Sequence, residues 1–386
     1  MLPVPPITQL ILKIASRCNL NCSYCYVYNK GDSTWKDRPP RMSDHIFEES
    51  LQNIRRHCAL SQQKNLTVVF HGGEPCLIGV DKFDSWCQRV REVLKGIDVR
   101  LGIQTNGTLL TQRWTEAFVK HHVGVGLSMD GPRATHDARR IDHRGRGSYE
   151  NVERGLRVLQ ASGAHHAVLC VIPLGAAPLA VHHHFVSLGC RQITYLFPDY
   201  THDTFAGICE QYGPTPCADF LIPIFDDWWH YGTLELNIVD LRNMARVIMG
   251  GSSRIETLGN NPPKYVFVET DGEIEGLDSL RVCSDGIAKT NLNVLTSEFA
   301  EVLLAGGMHK DALFAGLPTP TQCGPCLERS TCAGGYLPHR FSRARGFDNP
   351  SVWCADLLKL FAHLRVRMEV PTPRTSPNIR SRGLLT

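Results

Sequence analysis

Four successive apolar runs in the first half of this chain each end in a short polar segment, an order that few folds produce. Leu10-Ile11-Leu12-Lys13-Ile14 leads into a loop with Cys18, Cys22 and Cys25. Leu66 to Phe70 leads into His71-Gly72-Gly73-Glu74-Pro75, the run 99–103 into Gln104-Thr105-Asn106-Gly107, and the run 123–127 into Ser128-Met129-Asp130-Gly131-Pro132. Further apolar runs stand at 167–172 and 193–197. Helix-like stretches lie between the runs. One spans Ser148 to Gly163, with Val152, Leu156 and Leu159 on one face and the glycine as a stop; another begins at Ser43 and carries Ile46, Phe47, Leu51 and Ile54. Such alternation predicts parallel strands joined by right-handed crossovers. Six units are too few for a closed eight-stranded barrel. The expected class is therefore α/β, a partial (β/α)6 barrel over residues 1–204 with its chemistry at the carboxyl ends of the strands.

Composition narrows the functional classes. The chain has 386 residues and a net charge of +3, with no basic stripe interleaved with aromatics, so nucleic acid is not an expected partner. No apolar stretch approaches the roughly 18 residues that cross a bilayer, and the N-terminus lacks a signal-peptide pattern. Neither membrane contact nor export is expected. Fifteen cysteines without an export signal point to reduced thiols and metal, hence a cytoplasmic setting.

The spacing C-x3-C-x2-C puts three thiolates in one loop. Three thiolates can hold three corners of a 4Fe–4S cube and leave the fourth iron without a protein ligand, whereas an electron-transfer cluster takes four. The alternative is a structural zinc loop, but zinc sites usually pair C-x2-C knuckles. With Tyr24 before the last cysteine and Gly-Gly-Glu-Pro after the second strand, the pattern resembles the radical S-adenosylmethionine (SAM) enzymes. That resemblance implies a SAM-binding 4Fe–4S cluster on Cys18, Cys22 and Cys25, with SAM cleaved to a 5′-deoxyadenosyl radical on reduction. It also implies an external one-electron donor of flavodoxin or ferredoxin type. By the same resemblance Gly72, Gly73 and Glu74 meet the SAM amino group, with Glu74 as the carboxylate for the ammonium. Gln104 to Asn106 and Ser128 lie along the ribose and methionine, Tyr24 joins these contacts, and Arg140 pairs with the SAM carboxylate, with Arg139 as its rival by one position.

The second half divides into a bridging region, 205–258, and a turn-rich domain, 259–370. In the bridge Phe220, Ile224, Trp228 and Trp229 fall at helical spacing, which favours core packing over a substrate groove. Cys323-x2-Cys326-x5-Cys332 with Cys354 beyond resembles the SPASM domain, an α+β cap of peptide-modifying radical SAM enzymes. This implies one auxiliary 4Fe–4S cluster on those four cysteines, with a zinc knuckle as the alternative. A full SPASM domain has seven cysteines and two clusters. Here the cysteine expected just after Cys332 is absent, Tyr336 following Gly334-Gly335, and the pair expected near Asp271-Gly272 is absent too, with Glu269 and Glu275 nearby. Where anaerobic sulfatase maturases carry an inner-cluster cysteine and a catalytic aspartate, this chain reads Leu277-Asp278. The expectation is therefore one auxiliary cluster, with Cys283 open as a ligand, Asp278 as the base or a turn cap, and Asp285 in reserve.

The segments Gly334 to Arg340 and Gly346 to Cys354 resemble FxsB-type and related maturases, some of which make three-residue cyclophanes. The implied activity is that of a radical SAM oxidoreductase acting on a ribosomal precursor peptide. It abstracts a β-hydrogen and then joins an aromatic carbon to that β-carbon. Formylglycine formation of the sulfatase-maturase kind is one alternative, and a non-catalytic zinc-containing peptide-binding protein is another. About nine residues precede the first strand, so peptide recognition is expected in barrel, bridge or cap, or on another protein. The tail 371–386, rich in Pro, Ser and Arg, is expected to be disordered. Cys58, Cys76, Cys87, Cys170, Cys190, Cys209 and Cys217 read as buried small residues. His182, His183 and His184 point to different sides of a helix and cannot converge on one ion. The Arg139 to Arg146 stretch reads as a loop near SAM and peptide.

Overall fold

Six parallel strands follow one another in chain order: β1 (Gln9–Ala15), β2 (Asn65–Gly72), β3 (Asp98–Thr105), β4 (Val123–Ser128), β5 (His166–Val171) and β6 (Gln192–Leu196). They match the six apolar runs of the sequence, and each is separated from the next by helix. The computed structural model describes residues 4–233, 235–258, 261–304 and 307–373; of the tail expected to be disordered, residues 374–386 lie outside that set. The strand order is β10-β9-β8-β1-β2-β3-β4-β5-β6-β7 in one ten-stranded sheet. β7 (Asn237–Ile238) extends one edge parallel to β6.

At the other edge β8 (Tyr265–Val268) lies parallel to β1, with Gln9 opposite Tyr265 and Leu12 opposite Val268. β9 (Glu273–Glu275) returns antiparallel and β10 (Lys289–Asn293) follows it. The cap therefore continues the barrel's own sheet.

Local chemistry sets the helices. Ser43 accepts from the Ile46 N–H at 3.2 Å and starts the helix Asp44–Ser61, which buries Ile46, Phe47, Leu51 and Ile54. The helix Tyr149–Ser162 buries Val152, Leu156 and Leu159 and stops at Gly163, whose φ of 72° suits glycine. In the bridge, the helix Pro216–Tyr231 buries Phe220 and Ile224; Trp228 donates to Leu236 O at 3.0 Å, and Trp229 is 47% exposed, so it is not core. The closing helix Cys354–Met368 supplies Asp356, which accepts from Cys217 N at 2.7 Å and Ala218 N at 2.9 Å and so caps the bridge helix. Among the described residues no helix is long and apolar enough to cross a membrane.

A buried charge network joins the loop after the cysteine motif to the cap. Arg281 pairs with Asp32, Glu269 and Glu275, while Arg38 pairs with Glu269 at 2.9 Å, Glu273 at 2.8 Å and Glu275 at 2.7 Å. Burial pushes the Glu269 carboxyl up, yet Lys13, Arg281 and Arg38 together hold it below its ordinary value. Glu269 and Glu275, the acids near the missing cysteine pair, are thus consumed in ion pairs.

Candidate active site

The carboxyl ends of the barrel strands surround a cavity of about 1140 Å³ whose walls include Cys18, Cys22 and Cys25. Side chains from the third strand end hold the cysteine loop. Asn106 donates to Asn19 Oδ1 at 2.8 Å and approaches Cys18 Sγ at 3.7 Å, and Asn19 donates to Thr108 Oγ1 at 2.8 Å. The Leu20 N–H faces Cys18 Sγ at 3.4 Å. Burial pushes the Cys18 thiol up to about 12 and Cys25 to about 11, and raises Cys22 as well. Unaided, these thiols stay protonated at neutral pH; a bound cationic cluster is the kind of group that makes them ligands. Three thiols on the wall of one cavity fit that group.

The glycine turn differs from expectation. A Cβ on Gly72 would lie 2.1 Å from Ala15 O, and one on Gly73 would lie 2.4 Å from Arg17 O. Both glycines are needed for close packing against the cysteine strand, and both also line the cavity. Glu74 does not. Its carboxylate is fully buried and accepts from Cys76 N at 3.0 Å, Thr105 Oγ1 at 2.7 Å and Asn106 N at 2.7 Å. These bonds lock the second strand end to the third, and the contact of Glu74 with the SAM ammonium stands as a proposal beside that role.

Arg140, not Arg139, faces the cavity. Arg139 donates to Ile172 O and Leu174 O, each at 3.3 Å. Arg140 Nη1 donates to the Tyr24 hydroxyl at 2.5 Å, which in turn donates to Asp130 Oδ2 at 2.6 Å. Arg140 Nε is buried without a partner among the described residues. A guanidinium on the wall of a cavity suits an anion such as a carboxylate. Gln104 donates to Ser128 Oγ at 3.0 Å, both on the cavity wall, in space left by Gly126, where a Cβ would meet Gln104 Oε1 at 2.1 Å. Arg140→Met should weaken SAM binding to the reconstituted protein by about tenfold or more, roughly the loss of one charge-assisted hydrogen bond. Equilibrium dialysis measures it. An unchanged Kd would mean that Arg140 serves only Tyr24 and Asp130.

Asp278 is placed differently from a free base. It is 4% exposed, is ion-paired with Lys13 at 2.7 Å, and accepts from the Tyr26 hydroxyl at 3.1 and 3.2 Å. Tyr26 and His71 line the cavity whereas Asp278 does not. The reserve, Asp285, is at the surface and accepts from Ser33 N at 2.6 Å, so it is no part of the site. The one carboxylate among the lining residues is Asp199, which follows β6. Sequence reading stopped at four strand ends; applying the same rule to the sixth strand would have found it.

Cys323, Cys326, Cys332 and Cys354 ring a second cavity of about 310 Å³. Among the described residues no three His, Cys, Asp or Glu stand in single-ion geometry, so the thiols surround the space instead of converging on a point. Burial pushes the Cys332 thiol up to about 12. Cys283 is not on this wall; its thiol is buried against Pro338 O at 3.8 Å. Leu277 and Tyr336 line a third cavity, of about 460 Å³, with Glu256, which accepts from the Tyr336 hydroxyl at 2.8 Å. A leucine, a phenol and an already bonded carboxylate are not a ligand set for a 4Fe–4S cluster, so no inner cluster fits there. Of the unassigned cysteines six are buried, but Cys209 is exposed, a correction to its reading. The three histidines diverge, His182 to Tyr195, His183 to Asp227 and His184 to Tyr149.

Comparison with known proteins agrees with this geometry. Residues 12–176 match the model of the radical SAM superfamily. The serine-type anaerobic sulfatase-maturating enzyme of Klebsiella pneumoniae is 30% identical over 347 residues, 86% of this chain and 82% of that one. The enzyme of the same description from Bacteroides thetaiotaomicron is 24% identical, over 94% of this chain and 91% of its own. Among solved structures, native anSMEcpe with bound AdoMet and the Cp18Cys peptide superimposes with a TM-score of 0.77 at 22% identity, covering 95% of this chain and 98% of that one.

Proposed function

The chain belongs to the radical SAM superfamily, in the family that includes the anaerobic sulfatase-maturating enzymes, and on that premise we propose that it is a peptide maturase that oxidises a side chain at its β-carbon. The observation that carries this is the joining of three thiols, the Arg140 guanidinium and the Gln104–Ser128 pair around one cavity. A 4Fe–4S cluster with SAM supplies a 5′-deoxyadenosyl radical, which accepts a hydrogen atom from an unactivated carbon. The protein's own residues do the rest. Cys18, Cys22 and Cys25 hold the cluster, Arg140 and Tyr24 orient the SAM carboxylate, and Gln104, Asn106 and Ser128 fix the remainder of SAM. The apolar wall of Leu169, Val171, Leu196 and Phe197 excludes water from the radical. Cys323, Cys326, Cys332 and Cys354 hold the auxiliary cluster.

The product we favour is an intramolecular crosslink between an aromatic ring carbon and a β-carbon. Its support is the departure from the sulfatase-maturase pattern at Leu277 and Tyr336, together with the closing segment that ends in Trp353-Cys354. Formylglycine formation is the second reading, favoured by near full-length similarity to sulfatase-maturating enzymes. The test is anaerobic incubation with two peptides, one an 18-residue cysteine peptide of sulfatase type and one with an aromatic residue two positions before a serine. Crosslinking removes two hydrogens from the aromatic peptide and blocks cleavage between the joined residues. Formylglycine appears as an aldehyde on the cysteine peptide. If SAM is cleaved while a recombinant panel of both kinds stays unmodified, the peptide reading fails.

A further inference from the structure

We propose that Asp199, held by His339, is the carboxylate that takes the substrate's proton, and that Asp278 positions Tyr26 and Lys13 instead. The proposal rests on the peptide-oxidation reading and goes beyond it by moving the base to another strand.

Three observations carry it. Asp199 is the one acid on the wall of the cavity that holds the thiols, and its side chain keeps 22% of its surface open. One oxygen, Oδ1, meets His339 Nε2 at 3.1 Å, and the other takes no hydrogen bond among the described residues. Asp278, in contrast, has both oxygens occupied by Tyr26 and an ion pair with a buried lysine. To accept a proton it would have to give up a desolvated partner, and breaking a buried pair is costly.

The backbone around Asp199 is fixed by the cap. Trp353, fully buried, donates from its ring to Pro198 O at 3.0 Å and meets Phe197 edge-on at 6.0 Å. His339 is 3% exposed and accepts from the Val352 N–H at its own carbonyl at 2.9 Å. The base and its orienting group thus come from different halves of the fold, and each is held by the segment that precedes Cys354. A carboxylate with one oxygen anchored and one open toward a reacting group is the arrangement general-base catalysis requires.

The balance of the step is simple. The β-carbon C–H breaks and its hydrogen atom leaves to the 5′-deoxyadenosyl carbon. The β-carbon then bonds to the aromatic ring carbon. The ring regains aromaticity by giving its proton to Asp199 and one electron to an iron–sulfur acceptor. If the product is formylglycine, the β-carbon radical gives its heteroatom proton to Asp199 and one electron to the same iron–sulfur acceptor; serine then yields the aldehyde directly, and cysteine yields a thioaldehyde that solvent water hydrolyses to the aldehyde and hydrogen sulfide.

The experiment uses the reconstituted full chain, the two peptides named above carrying deuterium at the β-carbon, and the variants Asp199→Asn, Asp199→Glu, His339→Gln and Asp278→Asn. Deuterium in 5′-deoxyadenosine reports hydrogen abstraction, and modified peptide reports proton loss. Asp199→Asn should keep abstraction within about threefold of wild type while product per 5′-deoxyadenosine falls at least tenfold. His339→Gln should lower that ratio less, and Asp199→Glu should restore part of it. Asp278→Asn should leave the ratio near wild type. An unchanged ratio in Asp199→Asn, at wild-type iron content and circular dichroism, overturns the proposal, as does uncoupling confined to Asp278→Asn. No deuterium transfer by wild type overturns the peptide reading, and this assignment with it.

Discussion

Replacing Cys18, Cys22 and Cys25 together by alanine is expected to lower the iron of the reconstituted chain from about eight atoms to about four, with SAM cleavage lost altogether. The two thiol cavities share no lining residue, so emptying one leaves the ligands of the other in place. The cysteine loop itself should hold its shape. Asn19 is tied to Thr108 and Asn106, and the Asn21 N–H donates to Ile141 O at 2.7 Å, and none of these bonds uses a thiol. The thermal midpoint of the metal-free variant should therefore stay close to that of the metal-free wild type. Iron and sulfide assays with an activity assay on the same preparation decide the matter. About twelve irons in the wild type would mean that an inner cluster is held by ligands other than those lining the Leu277–Tyr336 cavity. Zinc in place of iron would sink the radical mechanism.

The part of this architecture that can be read from sequence is the part in which hydrophobic periodicity and strand-end chemistry agree. Strand β1 is buried along nearly its whole length, β2 to β6 alternate fully buried residues with more open ones, and each of the first four runs into a polar segment. Strands β8 to β10 are three to five residues long, and β10 is polar but for Leu292; no periodic signal of that size separates a strand from a turn. That they extend the barrel sheet is a tertiary fact, set by the parallel pairing of β8 with β1. Side-chain direction was equally hidden. Glu74 stands in a motif suggestive of ligand binding, yet its oxygens turn inward to one donor of its own turn and two of the third strand end. Asp278 was legible as a position but not as an ion pair, because Lys13 is 265 positions earlier and reads as one polar residue in an apolar strand.

That lysine belongs to the network in which the second large effect is expected. Arg281→Met should destabilise the chain by about 3–5 kcal/mol at pH 7, the usual cost of stripping one partner from a buried ionic cluster. Arg281 is 1% exposed and its two terminal nitrogens meet Asp32, Glu269 and Glu275. Methionine fills much of its volume but leaves Glu269 to Lys13 and Arg38, Glu275 to Arg38 alone, and Asp32 without an ion pair among the described residues. With that cation gone, burial and mutual repulsion raise the carboxyl pKa values in the folded state above their unfolded values. The folded variant then holds protons that the unfolded chain releases, so its deficit is full above the raised folded-state values and shrinks as pH falls from those values to the unfolded carboxylate range. Thermal melts of both proteins at pH 7 and at about pH 4.5 measure this. The gap in midpoint should be several degrees at neutral pH and clearly smaller in acid. Because Asp32 lies in the loop after the cysteine motif while Glu269 directly follows β8 and Glu275 ends β9, the same variant should loosen the cap from the barrel before either half unfolds. Faster proteolysis between 276 and 290 at temperatures below the midpoint would show it. Equal melts at pH 7 would mean that Arg38 and Lys13 alone neutralise the cluster and that Arg281 contributes little to joining the two halves.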